Sequence, residues 1–248
     1  MKTTLFQTDI VWGNPDENIL RIEKLIDKNP SSDLYVLPEM FSTGFATEPE
    51  GIAENDQQSL KWMRKTAMKH QCAIAGSVAT EEDGKYYNRF YFVKPDGSEV
   101  HYDKHHLFTY GGEHKRFTAG KERVIVEYKG VRILLQVCYD LRFPIFARNH
   151  GDYDMALYVA SWPTVRLDAW DILLHARAVE NQCYVMGVDR TGDDPACSYS
   201  GGTKAIDPWG NTISECKASQ VDAITIDINM QTLEDFRKKF PVLNDGDF

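Results

Sequence analysis

Three ionisable side chains of different type stand where apolar runs end. Asp33-Leu34-Tyr35-Val36-Leu37-Pro38 leads to Glu39, Val100-His101-Tyr102-Asp103 leads to Lys104, and Val131 to Val137 leads to Cys138. A thiol at the end of a buried-type strand, just before a helix, can stand at a sheet edge as a nucleophile. The backbone N–H of Tyr139 beside it is then a candidate oxyanion donor. A half-buried Glu39 would have its pKa raised from about 4.3 toward neutrality, which suits a general base. Lys104 in a water-poor cleft would stabilise an oxyanion and favour a thiolate. Taken singly, each has a plainer reading: a buried cysteine, a solvated strand-end glutamate, a surface lysine.

The elements that must position these groups are legible as short runs. Thr3 to Gln7, Leu34 to Leu37, Ala73 to Val78, Arg89 to Val93, Val124 to Tyr128, Val131 to Val137, Met155 to Val159, Tyr184 to Val188 and Ala223 to Ile228 have strand length and composition. Lys129-Gly130 reads as a hairpin turn, and Lys94-Pro95-Asp96-Gly97 and Asp207-Pro208-Trp209-Gly210 read as turns. Asn14-Pro15-Asp16-Glu17 opens a helix whose Ile19, Ile22 and Ile26 share a face. Leu60, Met63 and Ala67 mark a second helix, and Trp170, Leu173, Leu174 and Ala178 a third. Strands alternating with helices predict an α/β layered domain with mixed sheets. Periodicity does not say whether there is one sheet or two.

The chain has 248 residues, a net charge of −9 and 42% hydrophobic residues. One domain spanning 1–248 is expected, without repeat or linker. The acidic balance argues against nucleic acid as a partner. No run reaches the length of a membrane span, and the first residues do not read as a secretory signal. The five cysteines, Cys72, Cys138, Cys183, Cys197 and Cys216, are scattered without a CxxC pair, so the cytoplasm is the expected location. His105, His106 and His114 invite a metal site. Adjacent histidines on a strand would point to opposite sides, so no metal and no other cofactor is expected.

With Glu, Lys and Cys in that order, the chain resembles the nitrilase superfamily from Thr3 to Ile226. LPEMF resembles the glutamate motif at Glu39, YDKHHLF the lysine motif at Lys104, and VCYDLRFP the nucleophile motif at Cys138. A further family glutamate falls on Glu113 in EHKRFTAG, and WDILLHARAVENQCYV resembles a family helix carrying Arg177, Glu180 and Asn181. These three are expected to brace the site or an interface rather than to act in catalysis. The resemblance implies a four-layer α-β-β-α sandwich paired into a homodimer, with the tail at about 229–248 reaching the partner.

Within the superfamily, CYDLRFP, ASWP and FPVLND look most like the omega-amidases. That implies a cysteine-dependent amidase acting on the terminal amide of a small dicarboxylate monoamide such as 2-oxoglutaramate, through a thioester. Arg142, just past the nucleophile, is the candidate anchor for the substrate carboxylate, its plainer role being an ion pair with Asp140 or a neighbouring acid. Tyr139, Trp162 and Phe45 are candidate pocket walls. N-carbamoyl amide hydrolysis and nitrile hydrolysis would use the same triad. A binding protein or a thiol redox sensor on the same scaffold is the alternative of another class.

Overall fold

A computed structural model of the protein describes residues 1–246; the last two residues of the expected tail lie outside the described residues. Two six-stranded sheets face each other. The first runs, in spatial order, β14 (Asp222–Asp227), β1 (Lys2–Gln7), β2 (Leu34–Val36), β3 (Ala73–Glu82), β4 (Lys85–Val93) and β5 (Glu99–Asp103). The second runs β13 (Thr212–Glu215), β12 (Lys204–Ile206), β9 (Tyr184–Asp189), β8 (Met155–Ala160), β7 (Val131–Val137) and β6 (Ile125–Tyr128). A small hairpin, β10 (Thr191–Asp193) with β11 (Ser198–Ser200), projects beside them. Each sheet has a parallel centre, β1-β2-β3 and β7-β8-β9, flanked by antiparallel edges.

Three apolar cores hold the layers. Between the sheets lie Leu5, Val36, Phe90, Phe92, Leu135, Val137, Leu157 and Met186. Outside the first sheet, Ile22 and Ile26 of α1 (Pro15–Lys28) and Leu60, Met63 and Ala67 of α2 (Gln58–His70) cover Phe6, Tyr35 and Ile74. Outside the second, Trp170, Leu174 and Ala178 of α3 (Leu167–Asn181) cover Leu134, Ala156 and Val185. Residues that alternate along a strand therefore serve different cores, which is why both faces of the central strands are apolar. The result is the four-layer α-β-β-α sandwich expected from the resemblance.

Local signals act as read. The Asn14 side chain accepts from Glu17 N at 3.2 Å and caps α1. Lys129 and Gly130 both have positive φ, and Tyr128 pairs with Val131 across the two-residue turn. The tail folds back on its own chain as α4 (Met230–Lys239): Leu233 is fully buried and Arg237 pairs with Asp154 at 2.8 Å. No helix among the described residues is long and apolar enough to cross a membrane.

Candidate active site

The groups singled out from the sequence leave the carboxyl ends of strands in both sheets, where open α/β sheets form crevices. Glu39 follows β2. Its loop is stitched to β3 by Leu37 N to Ala75 O at 2.8 Å, Met40 N to Ser77 Oγ at 2.9 Å and Phe41 N to Ser77 O at 3.2 Å. The approach is close enough that a Cβ on Gly76 would lie 2.9 Å from Leu37 Cβ. Lys104 follows β5. Its amide donates to Asn88 O at 3.0 Å, and its carbonyl accepts from Gly120 N at 3.0 Å. Gly120 closes the EHKRFTAG segment against this strand end; a Cβ there would lie 2.0 Å from Asp103 O.

Cys138 opens a 3-10 turn, Cys138–Arg142, directly after β7, with φ +46°. A left-handed conformation costs a non-glycine residue about 1 kcal/mol, so packing must hold it. Asp140 supplies the brace. Its fully buried carboxylate accepts from Val137 N at 3.0 Å, Tyr102 Oη at 2.8 Å and His106 N at 2.9 Å. It thus ties the nucleophile turn of one sheet to the lysine strand of the other. Arg177 Nη2 donates to Leu141 O at 2.6 Å while Nη1 pairs with Glu180 at 2.8 Å, so α3 clamps the same turn. Asn181 accepts from Asn149 N at 2.9 Å and holds the segment that follows.

Glu39, Lys104 and Glu113 meet in a fully buried cluster. Lys104 Nζ lies 2.9 Å from Glu39 Oε1 and 3.0 Å from Glu113 Oε2. Asn88 Nδ2 donates to Glu39 Oε1 at 2.8 Å and to Glu113 Oε1 at 3.1 Å. Ser161 N, at the end of β8, donates to Glu39 Oε2 at 2.9 Å, and Phe108 N donates to Glu113 Oε2 at 2.5 Å. Glu39 is therefore pinned by backbone at one oxygen and shared with Lys104 and Asn88 at the other, whereas Glu113 meets Phe108 N and Lys104 at Oε2 and Asn88 at Oε1. Glu39 lies deeper than the half-buried position expected for it.

Burial alone would lower the Lys104 pKa, but Glu113, Glu39 and Cys138 around it hold it above the usual lysine range. Burial, with Glu39 adding to it and Lys104 opposing, raises that of Glu113. The Cys138 thiol is pushed well above its ordinary value, first by burial and then by the Glu39 carboxylate. Lys104 is expected to favour the thiolate. The ammonium does pull that way, but desolvation and the neighbouring carboxylate outweigh it.

Cys138 opens onto a cavity of about 600 Å³ whose wall includes Tyr139, Arg142, Trp162 and Phe45, the four residues expected there. The Phe45 ring centre lies 5.2 Å from Lys104 Nζ. Arg142 does not pair with Asp140, whose carboxylate is buried and taken up by Val137 N, Tyr102 and His106. Its guanidinium lies instead over the Trp162 ring at 4.9 Å. The histidines also depart from expectation. His105 and His106 lie in the loop after β5, not on a strand, and their rings meet at 4.5 Å. His105 stacks on Phe146 and His106 on Phe143, with His106 Nδ1 at 2.8 Å from Asp140 Oδ1. His114 is exposed. Of the other cysteines, only Cys197 lines the cavity among the described residues.

Sequence reasoning missed Asn88 and Ser161. Asn88 carried a signal: a carboxamide inside Tyr86-Tyr87-Asn88-Arg89-Phe90 must find partners if that strand is buried. Ser161 acts through its backbone N–H, which no residue type announces.

Over residues 2–238 the chain matches the carbon-nitrogen hydrolase family. It is 43% identical to omega-amidase YafV of Escherichia coli strain K12, the alignment covering 100% of this chain and 97% of that protein. It is 37% identical to 2-oxoglutaramate amidase of Bacillus subtilis strain 168, over 99% of this chain and 98% of that protein. The crystal structure of XC1258 from Xanthomonas campestris, a CN-hydrolase superfamily protein with an arsenic adduct in its active site, superposes with a TM-score of 0.97. It is 40% identical to this chain, covering 100% of this chain and 97% of that one. The parallel strand centres, the buried carboxylate–ammonium cluster and these full-length matches agree: the chain belongs to the carbon-nitrogen hydrolase family and is a hydrolase of carbon–nitrogen bonds.

Proposed function

We propose that the chain is a cysteine-dependent amidase that hydrolyses the terminal amide of a small dicarboxylate monoamide such as 2-oxoglutaramate. The observation that carries this reading is the pinning of Glu39 beside the Cys138 thiol. Its carboxylate is held from both sides by Lys104, Asn88 and Ser161, so it has no freedom to turn away from Cys138. The names of the relatives just described supply the substrate class.

The mechanism follows from that arrangement. Because burial and the Glu39 carboxylate push the Cys138 thiol up, attack requires a base. Glu39 accepts the Cys138 proton as sulfur bonds to the amide carbon. The carbonyl oxygen becomes an oxyanion, which Lys104 and the Tyr139 N–H stabilise. Tyr139 N lies at the start of the 3-10 turn, where an amide has no partner within the turn. One such donor is worth about 3 to 4 kcal/mol in the transition state. On collapse the C–N bond breaks, the Glu39 proton passes to the departing nitrogen as ammonia leaves, and a thioester remains. Glu39 next takes a proton from water as its oxygen attacks the thioester. The second collapse releases the acid, and sulfur recovers its proton from Glu39. Glu113 touches Lys104 rather than the thiol and acts as a positioning residue. Arg142, lacking the Asp140 pairing, is the anchor for the substrate carboxylate.

The test is ammonia release from 2-oxoglutaramate beside N-carbamoyl amino acids and nitriles. Turnover of 2-oxoglutaramate at a kcat/KM at least tenfold above the others is the expected result. A higher value for a carbamoyl compound or a nitrile would transfer the substrate assignment to that class.

A further inference from the structure

Arg142 is not the only guanidinium on the cavity wall. Arg166, in the short turn Thr164–Arg166 that follows β8, lines it too. Among the described residues neither has a carboxylate within ion-pair distance, whereas Arg89, Arg132, Arg177 and Arg237 each pair with one. Both rest on aromatic rings instead, Arg142 over Trp162 at 4.9 Å and Arg166 over Phe108 at 5.4 Å. A ring face holds a guanidinium without using its N–H donors, which stay free for an anion.

Trp162 links the two. Its ring lies against Arg142, and its Nε1 donates to Arg166 O at 2.7 Å. Phe108 links Arg166 to the catalytic cluster, because its N–H holds Glu113. The acids on the same wall do not compete. Glu50 pairs with Arg116 at 3.2 Å, Asp194 accepts from Tyr199 Oη at 2.6 Å and from Cys197 N at 2.7 Å, and Glu48 is exposed at the rim.

We propose that Arg166 is a second anion-binding residue, which together with Arg142 reads the end of the substrate remote from the amide. This rests on the amidase reading above. One fork uses about two of a carboxylate's roughly four acceptor sites, so a second fork can take up the others or a further acceptor oxygen beside it. The pair therefore selects amides whose remote end carries a carboxylate over uncharged amides, a 2-oxo or 2-hydroxy oxygen beside that carboxylate being an added acceptor.

The experiment compares the parent with Arg166→Gln and Arg166→Lys on 2-oxoglutaramate, glutaramate and uncharged pentanamide. Arg166→Gln is expected to raise KM for 2-oxoglutaramate about 10- to 100-fold, with a much smaller change in kcat. Its loss on pentanamide should be at least tenfold smaller, and Arg166→Lys should recover part of the affinity. Equal losses on charged and uncharged amides, or no loss on either, would overturn the proposal. A readout without turnover separates this idea from the amidase reading. 2-Oxoglutarate, which has no amide, should protect Cys138 from iodoacetamide, and Arg166→Gln should need at least tenfold more of it. Unchanged protection would overturn the role of Arg166. A parent that hydrolyses no amide yet shows the shift would sink the amidase reading alone.

Discussion

Replacing Cys138 with alanine is expected to lower ammonia release by on the order of 10⁴-fold or more and to leave the fold in place. The first part follows from the mechanism, since Cys138 is the thiol that stands beside Glu39 and Lys104. Ser161 also lines the cavity, but its hydroxyl donates to Glu39 O at 3.3 Å, away from the carboxylate. The second part follows from the brace. Asp140, Tyr102 and Arg177 hold the turn through groups other than the sulfur. Alanine also adopts the same left-handed φ at a similar cost. Circular dichroism of the variant beside its ammonia assay checks both. Residual turnover within about tenfold of the parent would remove Cys138 from the mechanism.

The largest effect on stability is expected at Lys104. Lys104→Met removes the cation that separates two fully buried carboxylates and leaves Asn88 as their shared donor. Breaking a buried ion pair at one partner costs about 3 to 5 kcal/mol, or on the order of 10 °C in Tm for a chain of this size. Activity should fall at least 10³-fold as well, because the oxyanion loses its ammonium. The pH dependence has a definite sign. Glu113 already has a raised pKa in the folded state, and without Lys104 burial and Glu39 raise it further. A carboxyl raised above its unfolded value stabilises the fold below that value and loses its contribution as pH rises through the folded one. The deficit of Lys104→Met should therefore narrow toward pH 5 and widen above neutrality in thermal unfolding. Adding Glu113→Gln should restore much of the Tm without restoring turnover. A variant as stable as the parent at pH 8 would contradict the account of the cluster.

Much of this site was legible because its chemistry sits at strand ends. Glu39, Lys104 and Cys138 each close an apolar run, and a charge or thiol at such a point is conspicuous in one dimension. Glu113 was not: it lies in a short 3-10 turn with no periodic context, and only the resemblance singled it out. Asn88 and Arg166 escaped notice because their meaning depends on which strands and loops become neighbours. The two-sheet arrangement was hidden for the same reason. Apolar runs report burial on both faces but not whether the second face meets a helix or another sheet. The histidine pair shows the opposite error, in which strand geometry was extended three residues too far. β5 ends at Asp103, so His105 and His106 are free to turn toward each other and toward Asp140.

The central claim, a thioester on Cys138, is tested most directly by product partitioning. The amide of a 2-oxo acid and the methyl ester of the same acyl group are hydrolysed in the presence of hydroxylamine, and the ratio of hydroxamate to acid is measured for each. A common acyl-enzyme predicts the same ratio from both, whichever group has left, and neither product from Cys138→Ala. Ratios that differ between amide and ester, or hydroxamate formed at the parent rate by the alanine variant, would contradict it.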